Sequence, residues 1–475
     1  MNLWKIAWRS IQQRPLTSTL TCLSMALGVA LVVSVITTYA VVEESFHRNR
    51  SLGYHLIVGG KNGSKLELVM STVFHIGRSE EPVPYEYYKQ FLRTTDADGK
   101  SVVPDRAKYV ELAVPICLGD NYQGFRVVAT LPSIFDFEYA PHTAYKFAQG
   151  ENFADDESGW NQAVVGAEVA RRTGLKLGDT FAPTHGTGED GEVHKENQFK
   201  VVGILAPTGT PNDRALFIHM EGFFRIAGHE TADAVPKSAN AKSIKSKNAA
   251  SPAAKDKKNE AADHQHVHDI PDSRKIVTAI LVRYGGPAFE PYVKQYGVDA
   301  AKSMADSFAA TEYKKINRSQ FAQAAQPVAM VSDLLERFVA PTTYVLMGLT
   351  VLTVIVAGIG VMVGIYNTML GRRHEIAVMR ALGASRATVM LVILCESILL
   401  SLIGGAAGFV LGHGIVAAAA PWIVDYTGVT VGILSFDWRS LIVVPGLVVL
   451  ASVVGYLPAL NAYRTDVVKG LAANA

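Results

Sequence analysis

Arg372-Arg373-His374-Glu375-Ile376-Ala377-Val378-Met379-Arg380-Ala381-Leu382-Gly383-Ala384-Ser385-Arg386 stands between two long uncharged segments. Four arginines, one histidine and a single glutamate make this connection basic. Short basic connections between apolar spans stay on the cytoplasmic side of a membrane, so this one sets the orientation of the chain. Apolar positions also recur at helical spacing, at Ile376, at Met379 or Arg380, and at Leu382 or Gly383. A short helix lying along the membrane face would then present an apolar edge to a cytoplasmic partner. A plain charged turn between two membrane helices satisfies the same spacing.

The uncharged runs give the topology. Residues 15–42, 338–371 and 440–463 hold no charged side chain, and each run exceeds the ~20 residues that span a bilayer. A further crossing follows Arg386 and reaches about Val416, interrupted by Glu396 and His413. The expected fold class is a membrane protein of four transmembrane α-helices, with a large α+β extracytoplasmic domain between helices 1 and 2. The expected boundaries are 1–15 for a cytoplasmic amphipathic helix, 16–42 and 338–371 for the first two crossings, 372–386 for the basic segment, 387–416 and 440–463 for the last two crossings, 417–439 for an outer loop and 464–475 for a cytoplasmic tail. Lys5, Arg9 and Arg14 precede the first crossing, and Arg464 and Lys469 follow the last. Both termini are therefore expected in the cytoplasm, with residues 43–337 outside.

Composition agrees. Hydrophobic residues make up 49% of the chain and the mean hydropathy is +0.17, values that fit a membrane part joined to a large water-exposed part. The net charge of +2 offers nothing to nucleic acid. Cys22 and Cys395 fall in membrane segments and Cys117 is alone outside, so no intrachain disulfide is expected. Leu3, Trp4, Ile6, Ala7, Trp8 and Ile11 alternate with Lys5, Arg9 and Gln12 as in an interfacial helix anchored in lipid headgroups by tryptophan. The first apolar run is too long for a signal peptide and reads as a retained anchor.

The wording of the basic segment adds a resemblance. Glu375-Ile376-Ala377-Val378-Met379-Arg380-Ala381-Leu382-Gly383-Ala384-Ser385, followed by Glu396 and by Gly404, Gly405, Gly408 and Gly412, resembles the C-terminal permease module of FtsX/MacB-type ABC transporters. The resemblance covers Tyr344 to Leu471 closely and the N-terminal part more loosely. Ala163 to Gly166, Ala170 to Thr180 and Phe199 to Leu205 are likewise similar to the core domain that MacB-type permeases hold outside the membrane. The family docks its linker on an ATPase subunit. This implies that Arg372, Arg373, His374, Glu375, Ile376, Met379, Arg380, Leu382 and Gly383 form the coupling contact.

Within residues 43–337, β-rich stretches are expected at His55 to Val58, Val110 to Ile116, Phe125 to Thr130, Ala163 to Val165, Phe199 to Leu205, Ala215 to Ile218 and Ile276 to Val282. Helical patterns fall at Pro84 to Thr94, Ala167 to Thr173, Pro291 to Tyr296 and Asp299 to Ala310. A region of this size is expected to form two lobes. Asp179, in a Gly-Asp turn, reads as a backbone-capping residue. From Gly228 to Asp269 lysine, alanine, serine and asparagine dominate, which marks a disordered insertion too polar to bury a core. At its far end His264, His266 and His268 alternate, a pattern that can hold zinc and equally one that ends a solvated loop.

Gly360 and Gly364 in the second crossing, and Gly404, Gly408 and Gly412 in the third, lie four apart and form flat strips. Such strips let helices approach closely, within one chain or between two. Glu396 is an intramembrane carboxylate and is read as a structural hydrogen-bonding group rather than an ion pathway. No Gly-x-x-x-x-Gly-Lys-Ser/Thr phosphate loop occurs in the sequence. ATP and Mg are therefore expected on a partner ATPase subunit, with no cofactor on this chain beyond zinc at the histidine tract. The chain itself is not expected to be an enzyme. The resemblance implies a permease subunit of the bacterial inner membrane, paired with a second permease chain, that uses ATP hydrolysis for export or extraction of a substrate by mechanotransmission. A periplasmic adaptor or substrate-binding partner and membrane lipid complete the expected partners. The rival readings are an FtsX-like activator of cell-wall hydrolases and a membrane-anchored metal-sensing scaffold.

Overall fold

The computed structural model describes residues 3–49, 53–77, 81–95, 101–136, 138–140, 143–186, 191, 193–226, 270–371 and 378–427, with scattered positions between 446 and 460. The insertion 228–269, residues 372–377, the tail 464–475 and most of the fourth expected crossing lie outside the described residues. The chain divides into two compact units, Met1–Arg48 with Val331–Ala475, and Asn49–Met330.

In chain order the helices are α1 (Leu3–Gln13), α2 (Pro15–Asn49), α3 (Lys65–Thr72), α4 (Tyr85–Lys89), α5 (Ala167–Thr173), α6 (Met220–Phe224), α7 (Glu290–Tyr296), α8 (Val298–Arg318), α9 (Pro327–Leu334), α10 (Ala340–Gly371) and α11 (Arg386–Thr427). The strands of the main sheet are β1 (Leu56–Gly60), β2 (Val110–Tyr122), β3 (Phe125–Thr130), β4 (Phe147–Gly150), β5 (Gln162–Val165), β6 (Thr180–Phe181), β7 (Thr184–His185), β8 (Phe199–Leu205), β9 (Ala215–His219), β10 (Ala279–Tyr284) and β11 (Ala322–Ala325).

Among the described residues these strands form one sheet in the order β6-β8-β5-β9-β3-β2-β10-β1-β11, with β7 on β2 and β4 on β8. β2 is the shared element. Its first half pairs antiparallel with β10, Val114 facing Leu281 and Ile116 facing Ala279. Its second half pairs with β3, Cys117 facing Ala129 and Leu118 facing Val128. Pro115 sits near this change of partner, in keeping with the positional limits on a residue that cannot donate to a ladder. Because both halves share a strand, the two lobes expected from length are one compact unit with a continuous core.

That core follows from residue choice. β1 and β9 are buried along their whole length, and the strands that flank β9 bury Val127, Val128, Val164 and Val165. Each such side chain contributes roughly 1.5–3 kcal/mol on full burial. α8 lays Ala301, Ala305, Ala309, Glu312 and Ile316 inward at helical spacing and packs on β10 and β11. The buried Glu312 carboxylate accepts from Arg106 Nε at 3.2 Å and Lys315 Nζ at 2.7 Å, so its charge is compensated.

In the other unit, three helices are long and apolar enough to cross a membrane among the described residues: Pro15–Val41, Pro327–Gly360 and Arg386–Trp422. α9 and α10 are joined through a π-turn at Leu335–Val339, where the Ala340 N–H donates to Leu335 O. α11 runs to Thr427 and passes through Pro421, longer than the span expected from charge. Ala417 to Ala420 favour helix just before the proline, and helices in lipid tolerate proline where neighbours satisfy the freed carbonyl.

Candidate coupling site and its membrane helices

The described part of the basic segment is a helix end. Val378 to Ala381 form a helical turn. It closes with Gly383 N–H donating to Arg380 O at 3.1 Å and Ala384 N–H donating to Met379 O at 3.0 Å. This pair of bonds is a Schellman motif, which needs a left-handed residue at its corner. Gly383 fills that place with φ 101°. The next helix starts at once: Ser385 Oγ accepts from Thr388 N–H at 3.1 Å and caps α11. Gly383 is thus a stop and Ser385 a start, and two residues turn the chain from the basic segment into the membrane helix.

The turn presents an apolar point. Leu382 is 84% exposed and Val378 is also exposed, while Met379 and Arg380 are half-buried. Leu382 is thus an exposed apolar residue in a stretch of sequence that carries Arg380 and Arg386 on either side. Of the other expected coupling residues, Arg372, Arg373, His374, Glu375 and Ile376 lie outside the described residues, as do His264, His266 and His268.

The helix behind this turn is held by the glycine strip. A Cβ added at Gly404 would stand 2.7 Å from Met25 Cβ, one at Gly408 2.5 Å from Ala26 O, and one at Gly412 2.8 Å from Ala30 O and from Val33 Cβ. All three face α2. Ser34 Oγ donates to Gly412 O at 3.2 Å across the same seam. A Cβ added at Gly360 would stand 3.6 Å from Ser24 Oγ, an ordinary contact distance, and Gly364 lies within α10. Glu396 is half-buried on α11, one residue before the buried Ser397.

α1 packs on α11 and buries Ala7 and Ser10. Trp4, Lys5, Trp8, Arg9, Gln12 and Leu399 line a shallow depression of about 380 Å³. Pro15 opens α2, and Arg14 between the two helices breaks the run, an arrangement that uses the fixed φ of proline at a first helical position. On α2 and the start of α10, Ser34, Val35, Thr38, Tyr39, Phe338, Val339, Thr342, Thr343 and Leu346 line a second cleft of about 410 Å³. Thr342 and Thr343 donate their hydroxyls to Phe338 O and Val339 O one turn back. Their polar atoms are thereby satisfied within the helix, and the cleft wall is mainly apolar.

Sequence comparison bears on the same segments. A family model described as FtsX-like permease C-terminal matches residues 347–467, and one described as MacB-like periplasmic core domain matches residues 18–260. The chain is 31% identical over 145 residues to the macrolide export ATP-binding/permease protein MacB of Agrobacterium fabrum, covering 30% of this chain and 22% of that relative. It is 28% identical over 185 residues to the uncharacterized ABC transporter permease YknZ of Bacillus subtilis, covering 38% and 41%. Over 287 residues it is 25% identical to MacB of Bdellovibrio bacteriovorus, covering 59% and 35%. The matched stretches thus take in 22%, 41% and 35% of these relatives' own lengths.

Proposed function

This chain belongs to the FtsX/MacB-like permease family, and from that premise we propose that it is the membrane subunit of an ABC transporter that carries the work of a cytoplasmic ATPase to the outer face. The observation that carries the reading is the reach of its helices. α2 has 35 residues and α10 has 32, so at 1.5 Å per residue they are about 52 and 48 Å long. The hydrocarbon core is only ~30 Å thick. Each helix therefore extends well beyond the lipid, and a stiff rod of that length transmits at one end a displacement applied at the other.

The ends have the right neighbours in sequence. α10 finishes at Gly371, where the basic segment begins, and α9 follows directly on the last sheet strand. A closing ATPase pair pushing on Leu382, Met379 and the arginines around them would move α10 and α11, with α2 locked to α11 by the glycine strip. ATP and Mg would sit on the ATPase, two ATPases would pair with two permease chains, and the extracytoplasmic unit would act on a substrate to be exported or extracted. The orientation that goes with this places both termini and residues 372–386 in the cytoplasm of a bacterial inner membrane. Coexpression with a candidate ABC ATPase subunit from the same genome, followed by purification in detergent and reconstitution, tests the proposal. Stable copurification and hydrolysis stimulated by the permease are expected; an ATPase that neither binds nor responds would overturn it.

A further inference from the structure

A cluster of three side chains able to ligate a metal lies in the unit Asn49–Met330, far in sequence from the basic segment and the apolar helices. β7 pairs antiparallel with the end of β2, placing His185 directly opposite Asp120 and Thr184 opposite Asn121. The chain then returns through a bridge between Thr184 and Val193, which brings His194 beside them. The backbone around the group is tied down: Gly186 N–H donates to Gly119 O at 2.8 Å, His194 N–H donates to Pro183 O at 2.9 Å, and Asn121 Nδ2 donates to Gly186 O at 2.9 Å.

The donor atoms converge. His185 Nδ1 is 3.3 Å and His194 Nε2 is 4.0 Å from Asp120 Oδ1, and one ligand atom from each residue falls within 4.8 Å of the others. The two imidazole rings are nearly perpendicular, at 86°, with centroids 5.9 Å apart. Tetrahedral zinc with bonds of ~2.0–2.1 Å sets its ligand atoms about 3.3 Å apart. One separation already has that value, and metal binding would have to draw the other ligand atoms in by up to about 1.5 Å. The Asp120 side chain is fully buried, His194 is 12% exposed and His185 is 56% exposed. A divalent ion placed among these ligand atoms would neutralise the buried Asp120 carboxylate directly.

We propose that Asp120, His185 and His194 form a zinc site that joins β7 and His194 to the end of β2. Two nitrogens and one oxygen favour a borderline ion over calcium or magnesium, which take oxygen ligands. Three protein ligands leave the fourth position to water or a group from outside. Bound zinc would tie His185 and His194 to one end of the strand that both halves of the sheet share.

The test uses the full chain in detergent, carrying His264→Ala, His266→Ala and His268→Ala so that the histidine tract does not contribute, and stripped with chelator. Zinc titration by calorimetry should saturate at one ion per chain, and cobalt should give the visible band of tetrahedral nitrogen and oxygen ligation, displaced by zinc. Asp120→Asn, His185→Ala and His194→Ala should each weaken binding at least ~10-fold, the loss that even outer-shell changes produce. His185 is exposed enough that its variant should melt like the parent without metal, which keeps the test decisive even if Asp120→Asn does not fold. Absence of saturable zinc binding, or binding unchanged by His185→Ala and His194→Ala, would overturn the site and leave the proposed permease role untouched.

Discussion

His75 has φ 57° and hydrogen-bonds Asn212 Oδ1 through Nε2 at 2.9 Å, with its ring edge-on to Phe217. Burial, opposed only by the Asn212 bond and reinforced by Arg126 and Arg214, lowers its pKa to about 4. In the unfolded chain the same group titrates near 6.5. Between those values the unfolded state binds a proton that the folded state refuses, so stability is full above pH ~6.5 and is lost as pH falls toward 4. The loss from this residue between pH 7 and pH 5 is about 2 kcal/mol at 1.36 kcal/mol per pKa unit. His75→Asn keeps a side chain that tolerates the left-handed backbone. Its acid destabilisation, read from urea unfolding at the two pH values, should be shallower than that of the parent by roughly that amount; parallel curves would place the titration elsewhere.

At the scale of elements, α2 and α11 approach closely along the glycine strip. A Cβ at Gly408 would meet Ala26 O at 2.5 Å and Val29 Cβ at 2.7 Å, while one at Gly414 on the same helix meets nothing within 4 Å. Gly408→Val should destabilise by about 1–3 kcal/mol through overpacking, seen as a lower melting temperature in detergent. Gly414→Ala should melt like the parent. Equal effects at the two positions would mean that the strip does not bear on α2.

Elements were legible where local chemistry and tertiary context agree. Phe125 to Thr130 and Phe199 to Leu205 are strands as expected, and Ala167 to Thr173 is a helix as expected. Ile276 to Val282 divides into Ile276–Val277 and β10, because its two ends pair with different partners. The helix expected over Pro84 to Thr94 shrinks to α4, since Thr94 and Thr95 instead pair with Val102 and Ser101. α3 was missed although Ser64 and Glu67 carry an N-terminal capping signature, and Ser64 Oγ does accept from Glu67 N–H. Asp179 caps its turn by accepting from Lys176 N–H at 2.8 Å, as its position after glycine suggested. The cluster at Asp120, His185 and His194 could not be read from spacing. Its members meet only because β7 pairs with β2, a long-range contact that no local pattern encodes.

At the scale of the whole molecule, charge asymmetry and helix length act together. In the proposed orientation the basic segment faces the cytoplasm, and helices longer than the bilayer connect that side with the outer one. Replacing Ser251 or Ser385 by cysteine, in a chain freed of Cys22, Cys117 and Cys395, gives two probes. An impermeant maleimide added outside should label position 251 and miss position 385, and the reverse pattern would invert the topology. The central claim is that the basic segment receives the ATPase stroke. Its most direct measurement is permease-stimulated ATP hydrolysis, with ATPase copurification, for Glu375→Lys combined with Met379→Ala, beside Asp425→Ala as a control on α11. Loss of both signals in the linker variant, with membrane insertion intact and the control unaffected, is the expected result; full assembly and full stimulation would show that the coupling surface lies elsewhere.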